Sequence, residues 1–449
     1  MSLKAILFLL VYFSGLGLSL FSPFFGVLTY LWTFYEYPEM RWWGTSLTDV
    51  RWSLTAGIVT LISVAIHRGG GLDANPMSEP QHNAMSLRPK LSSTGFYCLA
   101  AYAVWMWIQT PWAADPDAHF SGCMLFTKYV GLWALLQFAL SDLAKIRWFL
   151  LANAIGAGVW GVMMWQSDIG VARMEIPLGP GVEDSNTIGL HMATCAAFAG
   201  ALVIGWRSRL RWTAAAGVPF ILNGVVLAGS RGGVLGLAGA SAALLLFGPR
   251  QRKIVLVGAA IAGLALFARL ARSETFTSRM ATVQVPGEEL EGSAASRIYI
   301  AQGNWAMFLD HPLGLGHRGD IPLSPQYMPD FVLDPVAGIR AAHATIFAVL
   351  TNQGVPGIIL FVAMHLWAAY TLVRIWFLDK RGLPPELGAL RAAIAAGLIA
   401  YVICGMFSNY IKAEIGIWCF ALVPVLQREV NRWEYEHSET SVIALEGTV

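Results

Sequence analysis

The stretch Val225-Val226-Leu227-Ala228-Gly229-Ser230-Arg231-Gly232-Gly233-Val234-Leu235 decides how this chain folds. Two apolar runs, 212–229 and 232–247, meet at a turn that carries one arginine. Each run approaches the roughly 20 residues that cross a bilayer. An arginine in hydrocarbon costs about 2.5–3.5 kcal/mol or more. Arg231 therefore either snorkels to headgroups or meets an anion. The guanidinium fork suits phosphate oxygens, and the flanking glycines let a ligand approach the backbone.

Composition extends this reading to the whole chain. Of 449 residues, 56% are hydrophobic and 13% charged, against about 25% charged in soluble domains. The chain is expected to be an all-α, polytopic membrane protein forming a single integral membrane domain over 1–449. Spanning runs are expected near 3–20, 23–35, 52–66, 95–110, 120–140, 147–165, 186–205, 212–229, 232–247, 254–270, 343–377, 392–410 and 413–427, giving 12 or 13 transmembrane helices. The run 23–35 is short, and 343–377 is open to a break at Gly354-Val355-Pro356-Gly357.

Basic residues set the orientation. Arg68, Arg88 and Lys90, then Lys145 and Arg147, then Arg207, Arg209 and Arg211 fall in alternate loops. So do Arg250, Arg252 and Lys253, then Arg374, Lys380, Arg381 and Arg391, and finally Arg428 and Arg432. The positive-inside rule makes these loops cytoplasmic. Segments 111–119, 166–185, 229–233 and the large loop 271–342 then face outward. The N-terminus has two solutions. It lies outside if 23–35 spans, or inside, as Lys4 suggests, if 23–35 is re-entrant. No small-residue cleavage site follows the first apolar run, so that run reads as a retained helix.

Residues 67–94, rich in Gly, Pro, Ser and Asn, read as a flexible cytoplasmic loop, and 434–449 as a polar, frayed C-terminal tail. In the outer loop an acidic patch, Glu288, Glu289 and Glu291, precedes a short helix expected from Ser293 to Leu309. Ile298, Ala301, Trp305 and Phe308 recur there at helical spacing, and Pro312 with Gly314 stops it. Arg297 falls in its first turn, off that stripe. The five cysteines all lie in apolar runs without metal-ligand spacing, so free packed thiols are expected. The formal charge of +2 points to no nucleic-acid partner.

Three residues stand out as chemistry-bearing: Arg231, Arg297 and His343. His343 ends the outer loop and begins an apolar helix, where the dipole disfavours the imidazolium form. A neutral imidazole can take a proton from a hydroxyl. Gly232, Asn186 and Arg340 join the arginines as candidate binding residues. Glu183, Asp184 and Asn186 begin a span, where they orient sugar hydroxyls or cap the helix. Asp115 and Asp117 form a carboxylate pair without a third ligand, read as a solvated turn. No metal and no other cofactor is expected.

Taken in order, several short motifs resemble the O-antigen ligase and polymerase family of bacterial membrane enzymes. They are Ser230-Arg231-Gly232-Gly233, Ser296-Arg297 with Trp305, and His311-Pro312-Leu313-Gly314-Leu315-Gly316. His343 with Leu350-Thr351-Asn352-Gln353-Gly354-Val355-Pro356-Gly357 completes the set. The resemblance covers roughly 180–360. Departures are Ala344, where members often have Asn, and His317-Arg318-Gly319 in place of the usual aromatic. Pro23-Phe24-Phe25-Gly26 and Leu31-Trp32 are similar to ligase-like members found near exosortase systems.

The resemblance implies a glycosyltransferase of the bacterial inner membrane. It would move a glycan from undecaprenyl diphosphate to a lipid, glycan or protein hydroxyl at the periplasmic face. Arg231 and Arg297 would clamp the leaving diphosphate without a metal, and His343 would activate the acceptor, with inversion. The alternatives are a repeat-unit polymerase of the same family and a lipid-linked glycan flippase. A flippase would be expected to carry ionisable groups near mid-bilayer on several helices.

Overall fold

The structure, a computed structural model, describes residues 1–47, 50–69, 93–167, 174–250, 253–272, 277 and 292–446. Most of the loop 67–94, the acidic patch Glu288, Glu289 and Glu291, and Arg252 lie outside the described residues. Among the described residues the fold is all-α, with one isolated backbone bridge, Gly179–Val182. The helices are α1 (Leu3–Ser19), α2 (Pro23–Glu36), α3 (Trp52–Gly69), α4 (Thr94–Ile108) and α5 (Pro116–Ala139). Then come α6 (Leu143–Gln166), α7 (Ser185–Gly205), α8 (Arg211–Ala228), α9 (Arg231–Phe247) and α10 (Lys253–Leu270). Two helices, α11 (Gly292–Asp310) and α12 (Asp320–Tyr327), lie in the large loop. They precede α13 (Thr345–Phe377), α14 (Pro385–Gly405) and α15 (Glu414–Glu446).

The chain is a polytopic membrane protein. Helices α5, α6, α7, α8 and α14, and α13 with its short 3-10 extension, are long and apolar enough to cross a membrane. Apolar α1, α3, α4 and α9 are shorter. Helices α7 and α14 are central, each with 83% of its apolar window buried. Small residues let their neighbours close in, as is usual where helices pack in lipid. A Cβ on Gly233 of α9 would fall 2.8 Å from the Gly189 Cα of α7, and one on Gly236 would fall 2.4 Å from the Cys404 Sγ of α14. All five cysteines are free and buried.

Hydrogen bonds sort the connections into two faces. On one, Arg147 pairs with Glu386 at 2.8 Å, and Arg428 donates to the Gln137 carbonyl at 3.1 Å. Arg391, expected in a loop, is instead buried inside α14. That helix starts at Pro385, earlier than the apolar run suggested, because Arg391 is neutralised by Asp379 at 2.9 Å and also bonds the Phe247 carbonyl. This face carries the basic loops. On the other face, Arg41 donates to the Leu178 carbonyl at 3.0 Å, Ala114 N–H to Leu315 at 2.8 Å, and Ser230 to Asn186 at 2.9 Å.

The N-terminal ambiguity resolves on this frame. Helix α2 starts near the basic face, where His67 of α3 meets the Phe21 carbonyl at 2.9 Å. It ends at the other face, where Trp160 donates to the Tyr35 carbonyl at 2.8 Å. So α2 crosses between the faces, although its 14 residues make it only about 21 Å long. Antiparallel α1 returns Lys4 to the second face, where its ammonium lies 5.6 Å over Trp42. Helix α15 runs on into the polar tail as far as Glu446.

Helix α13 is bent at Gly354 (φ 63°, ψ −162°), within the stretch flagged for a break. The opening frees backbone groups that must be satisfied internally in a membrane. Leu315 N–H takes the Thr351 carbonyl at 3.1 Å, Gly316 N–H takes Asn352 at 2.9 Å, and Val355 N–H reaches Pro312 at 2.9 Å. Trp105 and Gln109 of the α4 end cover the Gln353 and Asn352 carbonyls at 2.7 and 3.1 Å. The segment 311–316 is thus a strap sewn into the kink. Helix α11 matches the expected span, but its buried side is Ile300, Asn304 and Met307. The predicted stripe at Ile298 and Trp305 is exposed.

This arrangement sets an expectation for the N-terminus. In spheroplasts, an impermeant maleimide should label Lys4→Cys, Glu39→Cys and Val336→Cys. Arg209→Cys should label only after permeabilisation. Labelling of Lys4→Cys from the Arg209 side would mean that α2 does not cross.

Candidate functional site

The candidate residues occupy the second face, around the α14–α15 connection 406–413. Gly229 closes α8 in the left-handed conformation (φ 60°), and Ser230 caps α9 by accepting from Gly233 N–H at 3.2 Å. Arg231 is therefore the first residue of α9 rather than a turn residue, and it is half-buried. The Ser230 hydroxyl donates to Asn186 Oδ1 at 2.9 Å, which sets Asn186 beside Arg231. Asp184 caps α7, accepting from Asn186 and Thr187 N–H at 2.7 and 3.0 Å. Capping is thus the role of Asp184, and the Asn186 side chain turns to α9.

The glycines of this motif serve packing. A Cβ on Gly232 would lie 3.3 Å from Phe407 Cβ, and the Gly232 carbonyl accepts from the Cys404 thiol at 3.2 Å. With Gly233 N–H already committed to the cap, the backbone is less open to an anion than the sequence suggested. Phe407 is the residue that sequence reasoning missed. Its ring also lies 5.8 Å beneath the Arg297 guanidinium, so the Arg231 turn and Arg297 meet through one aromatic side chain. A cation held over a ring gains about 0.5–1 kcal/mol at exposed sites. Arg297 is exposed and lies in the second turn of α11, one turn later than expected, because α11 starts at Gly292.

His343 lies two residues ahead of Thr345, which touches the same connection. It stands just ahead of the α13 N-cap, Ala344, which offers no side-chain cap, so the helix begins at Thr345 rather than at His343. Thr345 donates to the Ser408 carbonyl at 3.0 Å and accepts from Tyr410 N–H at 2.9 Å. One short connection, Phe407 to Tyr410, therefore touches the elements that carry Arg231, Arg297 and His343.

The approach to His343 is pinned by α12. Asp320 is buried, and its carboxylate accepts from Ala342 N–H at 2.8 Å and from the Asn352 amide at 2.9 Å. Burial pushes the Asp320 carboxyl above its usual range, and these donors pull against that shift. Ser324 accepts from Arg340 N–H at 2.7 Å. The Arg340 side chain keeps a buried Nε–H that has no hydrogen-bond partner among the described residues. Arg340 is thus anchored by its backbone and has side-chain donor capacity to spare.

Asp115 caps α5 by accepting from Ala118 N–H at 3.0 Å. Among the described residues no three His, Cys, Asp or Glu side chains gather as a metal site. Beside that cap, His119 is fully buried. It accepts from His317 N–H at 2.8 Å and meets the Met106 carbonyl through Nε2 at 2.8 Å. Burial, then the Lys412 and Arg318 charges, push the His317 imidazole down to about 4, so it stays neutral. Sequence reasoning assigned neither histidine a role, because the two meet only through the strap.

Fold and site together define a multi-pass membrane protein whose polar and charged candidate residues converge on one face. Residues 216–362, from within α8 to within α13, match the family model described as O-antigen ligase. That span contains Arg231, Arg297 and His343, and it supports assigning the chain to the O-antigen ligase and polymerase family. A comparison with curated proteins found no match.

Asp320 offers a direct check on how His343 is held. Asp320→Asn should lose one of two charge-assisted hydrogen bonds, about 1.5–3 kcal/mol. The expected result is a lower unfolding midpoint and slower turnover, with donor affinity retained. Wild-type stability and turnover would mean that Asp320 does not set the His343 segment.

Proposed function

We propose that the protein transfers a glycan from undecaprenyl diphosphate to an acceptor hydroxyl at the periplasmic face of the bacterial inner membrane. The observation that carries this reading is the meeting of the Arg231, Arg297 and His343 elements on the 406–413 connection. It is supported by the O-antigen ligase match over the same residues.

In this reading the acceptor oxygen attacks the anomeric carbon from the face opposite the leaving group and inverts it. His343, acting neutral, takes the hydroxyl proton. The bond from the anomeric carbon to the diphosphate oxygen breaks, and its electron pair leaves with the lipid diphosphate. Arg231 and Arg297 neutralise that developing charge, a form of stabilisation that needs no metal. Asn186 and Arg340 add donors for sugar hydroxyls or phosphate oxygens, and Gly232 keeps the floor close. The basic face, with Arg147–Glu386 and Arg391–Asp379 paired, corresponds to the cytoplasmic side.

Ligase and polymerase share this chemistry and differ in acceptor. Deletion in the native host separates them: retained long lipid-linked chains indicate a ligase, and accumulated single repeat units a polymerase. Flipping of lipid-linked glycan without transfer would replace both with a transporter.

Two sets of variants test the mechanism. Arg231→Ala and Arg297→Ala should each abolish transfer in protein that still inserts and folds. Lysine should rescue poorly, since it lacks the bidentate fork. Normal turnover in either alanine variant would remove the clamp.

His343→Ala should slow transfer by about 10²–10⁴, the range for a lost general base, with donor affinity nearly unchanged. Wild-type transfer should fall on acidification as the imidazole takes up a proton. Lost binding with normal turnover at saturation would make His343 a binding residue instead.

A further inference from the structure

The 406–413 connection has a second charged side that the proposed mechanism does not use. Helix α5 holds it in place. A Cβ on Gly122 would fall 2.5 Å from the His317 ring, and the Phe126 ring centre lies 6.4 Å from it. One turn further, the Tyr129 hydroxyl donates to the Lys412 carbonyl at 2.6 Å. Tyr129 lies roughly 20 Å along α5 from its start at Pro116, at about 1.5 Å per residue. Lys412 is thus fastened well below the outer end of α5. Part of its side chain is nevertheless exposed, although the protein around its ammonium takes much of it out of water. Ionisable groups at such depth line substrate paths far more often than they serve packing.

The charges acting on Lys412 are Arg318, then Glu183 and Asp184. Among the described residues neither Lys412 nor Arg318 makes a side-chain hydrogen bond or ion pair. Asp184 is committed to the α7 cap. Two like charges near enough to interact are therefore left without a contact partner among the described residues, although each disfavours the other.

Arg318 carries an independent sign. Its φ is 63°, and with Tyr37 it is one of two non-glycine residues held at positive φ among the described residues. Such a conformation is strained for any residue that carries a Cβ. The strap imposes it: His317 N–H is fixed on His119, and Gly319 N–H bonds the Gly316 carbonyl at 3.0 Å. Glycine would sit there without strain, so backbone geometry alone does not explain an arginine.

We propose that Lys412 and Arg318 form a second anion subsite, separate from the Arg231 and Arg297 clamp, for a phosphate or carboxylate carried by one of the substrates. Only the word substrate rests on the transferase reading; the subsite itself is a binding claim. An anion bridging the ammonium and the guanidinium would relieve their repulsion and fix the glycan or acceptor that bears it.

The test uses full-length protein in detergent and reads acylation of Lys412 by an amine-reactive ester through mass spectrometry. Inorganic phosphate and glucuronate are the probes, compared with chloride at equal ionic strength. At about twice its dissociation constant, a bound anion should slow Lys412 acylation about threefold. Protection should persist in Arg231→Ala and vanish in Arg318→Gln and in Arg318→Gly, the latter keeping the backbone unstrained. Protection by phosphate alone, glucuronate alone or both supports the subsite and names its chemistry. Absence of protection by either anion overturns it. Protection that vanishes in Arg231→Ala also overturns it, because the anion would then sit in the clamp. Labelling needs no turnover, so a chain that binds but never transfers a glycan would refute the transferase reading and leave the subsite standing.

Discussion

The bend of α13 at Gly354 is the constraint on which the site depends. An opened helix in a bilayer cannot leave its carbonyls to water, so each freed group requires a protein partner. Here the partners are the 311–316 strap and the end of α4. A Cβ at Gly354 would fall 2.4 Å from the Pro312 carbonyl oxygen, and one at Gly314 would fall 2.6 Å from that of Asn352. Both glycines are therefore required by close backbone contact as well as by positive φ. The strap fixes the end of α11, and Thr351 holds Asn304 of α11 at 3.0 Å. The kink thereby sets where Arg297 stands relative to the helix that follows His343.

A second consequence concerns the 406–413 connection. It is short and tied from several directions, by Thr345 at Ser408, Tyr129 at Lys412 and Phe407 against Gly232. Residues from α9, α11 and the start of α13 meet there although long stretches of chain separate them. Holding reactive groups on tied elements is what pre-organised electrostatic stabilisation requires. The buried pairing of Arg391 with Asp379 on the opposite face has a different character. Breaking one partner of such a pair costs about 3–5 kcal/mol, which makes it an anchor for α13 and α14.

The motifs behind the family resemblance divide into two physical kinds. Ser230-Arg231 and Ser296-Arg297 supply charge at the site. His311-Pro312-Leu313-Gly314-Leu315-Gly316 and Leu350-Thr351-Asn352-Gln353-Gly354-Val355-Pro356-Gly357 supply its frame, through backbone hydrogen bonds rather than side-chain chemistry. His317 and Arg318, where the chain departs from the usual pattern, follow directly on that frame. Both lie close enough to Lys412 for their charges to interact.

The sequence alone determined the membrane class, nearly all the helices and the alternation of basic loops, because apolar length and charge are local properties that the bilayer reads directly. It also marked Arg231 and His343, since a charge or imidazole at the edge of an apolar run is visible without a fold. It did not show which side of α11 is buried, and it misplaced the start of α14, where a neutralised arginine looks the same in sequence as a solvated one. It left open whether α2 crosses, because a run as short as 23–35 suits a short span or a re-entrant turn equally. Only the tertiary structure brought Phe407 and Asp320 to the candidate residues, and Lys412 to the same short connection. Their roles arise from contacts between helices remote in sequence, and no periodicity or spacing encodes such contacts.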